Sequence, residues 1–159
     1  MHHLDTFCQR LNRIVEGLLF GMGITMAAIV AAQVFFRYAL NASLFWSEEA
    51  ARFLLVWLTF LGAATAYYRG SHPGIDALTS RLPRKARRIA AVAAHGAAAG
   101  LAMVMIVYGT RFAWFVRLQI TPALSLPKWL VFAVIPVAGF LLLVQITRFI
   151  AHTLSGDAP

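Results

Sequence analysis

Four stretches of this 159-residue chain contain no Asp, Glu, Lys or Arg: residues 17–36, 53–68, 89–110 and 129–147. A helix of roughly 20 apolar residues crosses a hydrocarbon core about 30 Å thick. The second run is short, but counted from Glu48 to Tyr68 it gives 21 residues, about 30 Å at 1.5 Å each. The chain is 60% apolar and 13% charged, whereas soluble domains carry about 25% charged residues. So few charges cannot cover that much apolar surface in a soluble globule. The expected fold is an all-α integral membrane protein with four transmembrane helices, at about 14–38, 48–68, 89–110 and 127–149, in a single domain over 1–159. A soluble enzyme is excluded.

The net charge of +8 would suit nucleic acid, but the basic residues sit between the apolar runs and form no patch interleaved with base-stacking aromatics. No nucleic-acid partner is expected; membrane lipids are. The single cysteine, Cys8, precludes an internal disulfide or a Cys-x-x-Cys site. Arg10, Arg13 and the apolar run after them resemble a signal peptide, yet the run stays uncharged to Phe36, beyond the 7–15 residues of a cleaved core. An uncleaved first helix is expected.

Orientation follows from Lys and Arg in the short connections. One side would carry Arg10, Arg13, Arg69, Arg81, Arg84, Lys85, Arg87, Arg88 and Arg148; the other carries Arg37, Arg52, Arg111, Arg117 and Lys128. The excess on the first side places both termini and the second connection in the cytoplasm. The two outer connections mix aromatics with arginine, at Leu44, Phe45 and Trp46 and again at Phe112, Trp114, Phe115, Leu118 and Ile120. Each is therefore expected to include a short amphipathic helix along the interface. Ile75, Leu78 and Leu82 share a helical face in the cytoplasmic connection. Ser47 is expected to cap the second helix, with Glu48 and Glu49 in its first turn. Pro127 should open the last helix, and Pro136 should kink it by leaving the Phe132 carbonyl without a partner.

Ionisable residues at membrane depth are where transport chemistry is sought, and there are few. Glu16 lies near Asn12 and Arg13; an interfacial ion pair is the expected role, the alternative being the proton-coupling carboxylate of a self-sufficient small four-helix exporter. His95 is a lone candidate for haem ligation, without a facing histidine at matched depth. Glu48, Glu49 and Arg52 share a helix face, which suits capping and an ion pair better than catalysis, with Arg37 as a further partner. Small residues four apart, Gly17 and Gly21, Gly62 and Ala66, Gly96 and Gly100, allow close helix approach. Gly96 and Gly100 are candidates either for packing within the chain or for docking another membrane protein. The residues suggest no catalytic, substrate-binding or metal site and no cofactor.

Several motifs carry a likeness. Phe36-Arg37-Tyr38-Ala39-Leu40-Asn41, followed by Trp46-Ser47-Glu48-Glu49-Ala50-Ala51-Arg52 and Trp57, resembles the small membrane subunit, DctQ type, of tripartite ATP-independent periplasmic (TRAP) transporters. The resemblance continues through Gly62-Ala63-Ala64, His72 and Ile75-Asp76-x-Leu78, then Thr121-Pro122-Ala123-Leu124-x-Leu126-Pro127-Lys128-Trp129 with Ile135-Pro136. Pro73-Gly74 departs from the family's usual residues.

Such a subunit is non-catalytic. The resemblance implies a one-to-one complex in the bacterial inner membrane with a large M-type subunit that holds the substrate and sodium sites and moves like an elevator. A periplasmic P-type binding protein delivers an organic acid, a C4-dicarboxylate, sialic acid or similar carboxylate. The resemblance further assigns Arg37, Asn41, Trp46, Glu48, Glu49 and Arg52 to structural or subunit contacts on the periplasmic side. His72 and Asp76 belong to the cytoplasmic connection, and Pro127, Trp129 and Pro136 shape the last helix.

Overall fold

A computed structural model describes residues 2–68 and 84–154. His72, Asp76 and the expected amphipathic segment around Ile75 lie outside the described residues. The elements are α1 (His2–Ala39), α2 (Phe45–Tyr68), α3 (Arg84–Phe115), α4 (Trp129–Phe132) and α5 (Val134–Leu154). Among the described residues, four spans are long and apolar enough to cross a membrane: Cys8–Ala39, Phe45–Tyr68, Val92–Phe115 and Trp129–Arg148. The chain is an all-α four-span membrane protein.

The helices form a row that is partly closed where α1 also touches α5. α1 lies against α2, α2 against α5, and α5 against α3 along the most extensive contact of the molecule. Val15 on α1, Leu61 and Ala64 on α2, and Val134 and Leu141 on α5 make one buried cluster. Tyr67, Ala102 and Ile146 join α2, α3 and α5 in a second. This arrangement leaves broad apolar faces uncovered on the two end helices, from Ile14, Leu18, Phe20 and Ile24 on α1 to Leu101, Val104, Tyr108 and Phe115 on α3. Within a bilayer such faces meet acyl chains or another membrane protein, neither of which opposes them as water does.

Two glycines set the α3–α5 approach. A methyl group on Gly139 would lie 2.9 Å from the Ala102 carbonyl oxygen, and one on Gly109 would lie 2.8 Å from Ile135 Cγ2 and 3.0 Å from Pro136 Cδ. The backbones meet here because neither residue has a side chain. By contrast, a methyl on Gly17, Gly21, Gly62, Gly96 or Gly100 would meet nothing within 4 Å. Of the two readings of Gly96 and Gly100, packing within the chain and docking another membrane protein, these contacts lend no support to the first. Spacing by four places residues on one face, but it does not say which face a neighbour covers.

Three local expectations also change. Ser47 is not the cap of α2: the helix starts at Phe45, and the Ser47 amide and hydroxyl both donate to the Leu44 carbonyl, at 3.1 and 2.6 Å. Ser47 is fully buried there, so its hydroxyl closes on its own first turn. No separate interfacial helix forms in either outer connection. Phe45 and Trp46 already belong to α2, α3 runs on to Phe115, and residues 116–128 form turns. Pro127 precedes α4 and pairs with Ile120 in an antiparallel bridge. The last span is interrupted at Ala133, between α4 and α5, one turn before Pro136, whose missing N–H cannot serve Phe132.

Candidate functional site

The motif residues gather at the end of the molecule where α1 turns into α2 and where residues 116–128 return to α4. The α1–α2 turn depends on Asn41, which has φ 48°, a left-handed conformation that asparagine adopts more readily than other non-glycine residues. The turn lets the Ala42 amide reach the Phe36 carbonyl at 3.1 Å, satisfying one of the helix's orphan carbonyls. Glu48 is thereby brought back against α1. Its Oε1 accepts from Arg37 Nη2 at 2.9 Å and from Gln33 Nε2 at 3.3 Å. Arg37 and Glu48 are about half exposed, at 49% and 56%. The pair contributes about 1 kcal/mol or less by itself, so its weight is geometric: it fixes the register of α1 on α2.

Glu49 faces the opposite way. Its Oε2 accepts from the Ala123 amide at 2.8 Å and the Leu124 amide at 3.0 Å, and the Thr121 side chain lies near enough to favour its charged form. Arg52 acts on Glu49 by its charge. The two arginines thus divide between the two carboxylates: Arg37 pairs with Glu48, and Arg52 supports Glu49.

Residues 116–128 are shaped to present those amides. The Thr121 amide donates to Leu126 O at 2.9 Å, the Leu126 amide donates back to Thr121 Oγ1 at 3.1 Å, and the Lys128 amide reaches Gln119 O at 2.9 Å. Ser125, at φ 53°, makes the tight reversal between them. Lys128 Nζ donates to Gln119 Oε1 at 3.0 Å, and Arg117 stacks 4.1 Å over the Trp114 ring. Trp46 and Trp129 flank the site, each partly exposed. Two adjacent carboxylates thus staple three elements together: Glu48 joins α1 to α2, and Glu49 joins α2 to the 116–128 segment. Both are committed to internal donors, an arrangement suited to rigidity and not to acid–base exchange.

Sequence reasoning identified Arg37, Asn41, Glu48, Glu49 and Arg52 but missed Gln33, Thr121, Ala123 and Leu124 as their partners. The Thr121-Pro122-Ala123-Leu124 run was visible as a motif, but its bond to Glu49 spans more than seventy residues and rests on backbone amides, which no side-chain pattern reveals.

At the opposite end, Glu16 Oε1 accepts from Asn12 Nδ2 at 2.6 Å, within the group of Asn12, Arg13 and Glu16 that the sequence brings together. His95 Nδ1 shares a hydrogen bond with Tyr67 Oη, the rings meeting edge to face at 5.9 Å. His95 thus ties α3 to α2. Among the described residues, no group of three or more His, Cys, Asp or Glu side chains could hold a metal ion.

The comparisons with known proteins agree with this architecture. Residues 26–156 match the family "Tripartite ATP-independent periplasmic transporters, DctQ component". The chain is 33% identical over 128 residues, 79% of its length, to the C4-dicarboxylate TRAP transporter small permease protein DctQ of Rhodobacter capsulatus, covering 56% of that protein. It is 28% identical over 142 residues, 87% of its length, to the ectoine TRAP transporter small permease protein TeaB of Halomonas elongata, covering 71%. A match at 35% identity over 78 residues, 49% of the chain, covers 13% of the sialic acid TRAP transporter permease protein SiaT of Haemophilus influenzae. The chain thus spans little more than half the length of the first of these relatives. It belongs to the DctQ family. Accordingly it is a multi-pass protein of the bacterial inner membrane and not an enzyme.

Proposed function

We propose that this DctQ-family chain is the small, non-catalytic membrane subunit of a sodium-driven, binding-protein-dependent uptake system for an organic acid. It forms a one-to-one complex with a large M-type membrane subunit that holds the substrate and sodium sites. The chain stiffens the stationary part of that subunit and helps dock a P-type periplasmic binding protein. Both termini and residues 69–83 face the cytoplasm, and the stapled end faces the periplasm.

The observation that carries this reading is the fate of the motif carboxylates. Glu48 and Glu49 each bind internal donors, while the apolar faces of α1 and α3 stay open. That suits a rigid scaffold which presents surfaces and leaves substrate chemistry to another protein. The relatives support it from a second direction. Their names give C4-dicarboxylate, ectoine and sialic acid, and similarity across such different substrates supports placing the choice outside this chain. The match to 13% of SiaT fits a small unit joined to a larger one in a single chain.

The test is uptake by the reconstituted complex. Glu48→Gln combined with Glu49→Gln should reduce assembly and uptake while the order of preference among C4-dicarboxylate, sialic acid and related acids stays unchanged. A changed preference would place substrate contacts in this chain and defeat the proposal. Abolition of transport by Glu16→Gln, in a homodimer lacking any large partner, would establish the exporter alternative instead.

A further inference from the structure

Among the described residues, three buried side chains carry oxygens without a hydrogen-bond partner: Asn12 Oδ1 on α1, Thr65 Oγ1 on α2 and Gln145 Oε1 on α5. The residues are 5%, 7% and 5% exposed. They sit on the same side of one landmark, the cluster in which Val15, Leu61 and Leu141 meet. Thr65 is one turn beyond Leu61, and Gln145 is one turn beyond Leu141. Asn12 is three residues before Val15, on a helix that runs the other way. All three therefore lie toward the end where α1 begins and where α2 and α5 finish.

An unsatisfied buried polar atom is costly, and native interiors rarely leave one unpaired. Here there are three, on the three helices of one buried cluster and toward the same end of it. The Asn12 amide cannot be turned over to relieve its oxygen, because Nδ2 already donates to Glu16 Oε1 and reversal would set two oxygens against each other. Asn12 thus offers an acceptor, while Thr65 offers a hydroxyl that donates or accepts. Each oxygen exposes less than 1 Å², so no side chain of a partner protein reaches it. A small molecule enclosed between the helices would satisfy all three.

We infer that α1, α2 and α5 enclose ordered water at this junction, hydrogen-bonded to Asn12 Oδ1, Thr65 Oγ1 and Gln145 Oε1. A buried water makes about three hydrogen bonds to otherwise unsatisfied groups, which matches the number and kind of atoms here. Water suits the site better than a metal cation, since the three atoms are neutral and the neighbouring Glu16 carboxylate is already engaged. The water extends the Asn12–Glu16 pair of α1 to α2 and α5. Beside it, Tyr67 on α2 bonds His95 on α3. Polar contacts then register all four long helices at this end, as the carboxylate staples register the other.

The direct test is a structure of the native protein in lipid nanodiscs at a resolution that shows solvent. The expected result is a peak within about 3.2 Å of at least two of the three oxygens; a dry junction overturns the inference. Thermal melting gives an independent test. Thr65→Val and Gln145→Met should each lower Tm by about 2–4 °C, Thr65→Ser should retain the wild-type value more closely, and the double variant should lose less than the sum, since both sites share one water. An unchanged or raised Tm in both single variants would show that the groups were truly unpaired. A Tm that rises with sodium or potassium relative to choline, and loses that dependence in Gln145→Met, would put a cation in place of water and overturn the assignment.

Discussion

The two sets of glycines should respond to the same substitution in opposite directions. Gly139→Ala introduces a methyl 2.9 Å from the Ala102 carbonyl oxygen, 3.0 Å from Ile106 Cγ1 and 3.1 Å from Met105 Cβ. The nearest atom is backbone in the middle of α3, so it cannot swing aside, and the α3–α5 pair must separate by several tenths of an ångström. Overpacking of this kind costs about 1–3 kcal/mol, while replacing a helical glycine by alanine returns about 1 kcal/mol in propensity. The net for Gly139→Ala is about 1 kcal/mol of destabilisation, which at this chain length lowers Tm by about 2–4 °C. Gly96→Ala and Gly100→Ala meet nothing within 4 Å and keep the propensity gain, so each should raise Tm by about 2–4 °C. The assay is thermal melting of the isolated chain in one detergent, with all three variants side by side. A Gly139→Ala variant more stable than wild type, or Gly96→Ala and Gly100→Ala variants less stable, would refute the helix arrangement. If the Gly96–Gly100 face meets the large subunit, these same variants should recover less complex although the isolated chain melts higher.

Glu49→Ala should accelerate hydrogen exchange at the Ala123 and Leu124 amides, which lose their acceptor. The Thr121 and Lys128 amides, bonded within the 116–128 segment, should keep their rates; uniform acceleration across the segment would argue against a local clamp. Asn41→Gly should be tolerated in thermal melts, since glycine readily adopts a φ near 48°. Asn41→Val should lose about 1–2 kcal/mol, and equal behaviour of the two variants would contradict the turn geometry.

The four spans were legible because burial in lipid imposes a composition that a soluble chain cannot mimic: uncharged runs of membrane length speak for themselves. Helix ends were less so. Ser47 has the chemistry of a cap, yet the helix begins two residues earlier because Phe45 and Trp46 can enter it at the interface. The outer aromatics were read as separate interfacial helices, whereas Phe112, Trp114 and Phe115 extend or end α3. Gly96 and Gly100 drew attention through their spacing, and the contacts that matter fell to Gly109 and Gly139, isolated glycines whose role depends on where two distant helices cross. Of the candidate site, Arg37, Glu48, Glu49 and Asn41 stood out by charge or motif. Their partners did not, because an amide at Ala123 is identical in sequence to any other amide until the 116–128 segment folds.

The central claim is that this chain works as a subunit, and co-purification tests it most directly. The tagged chain would be expressed with its neighbouring membrane genes, purified in detergent, and measured by intact-complex mass with identification of the components. The predicted result is a one-to-one complex with a large, many-helix membrane protein. A homodimer with no partner would contradict the claim and make Glu16 the first residue to replace.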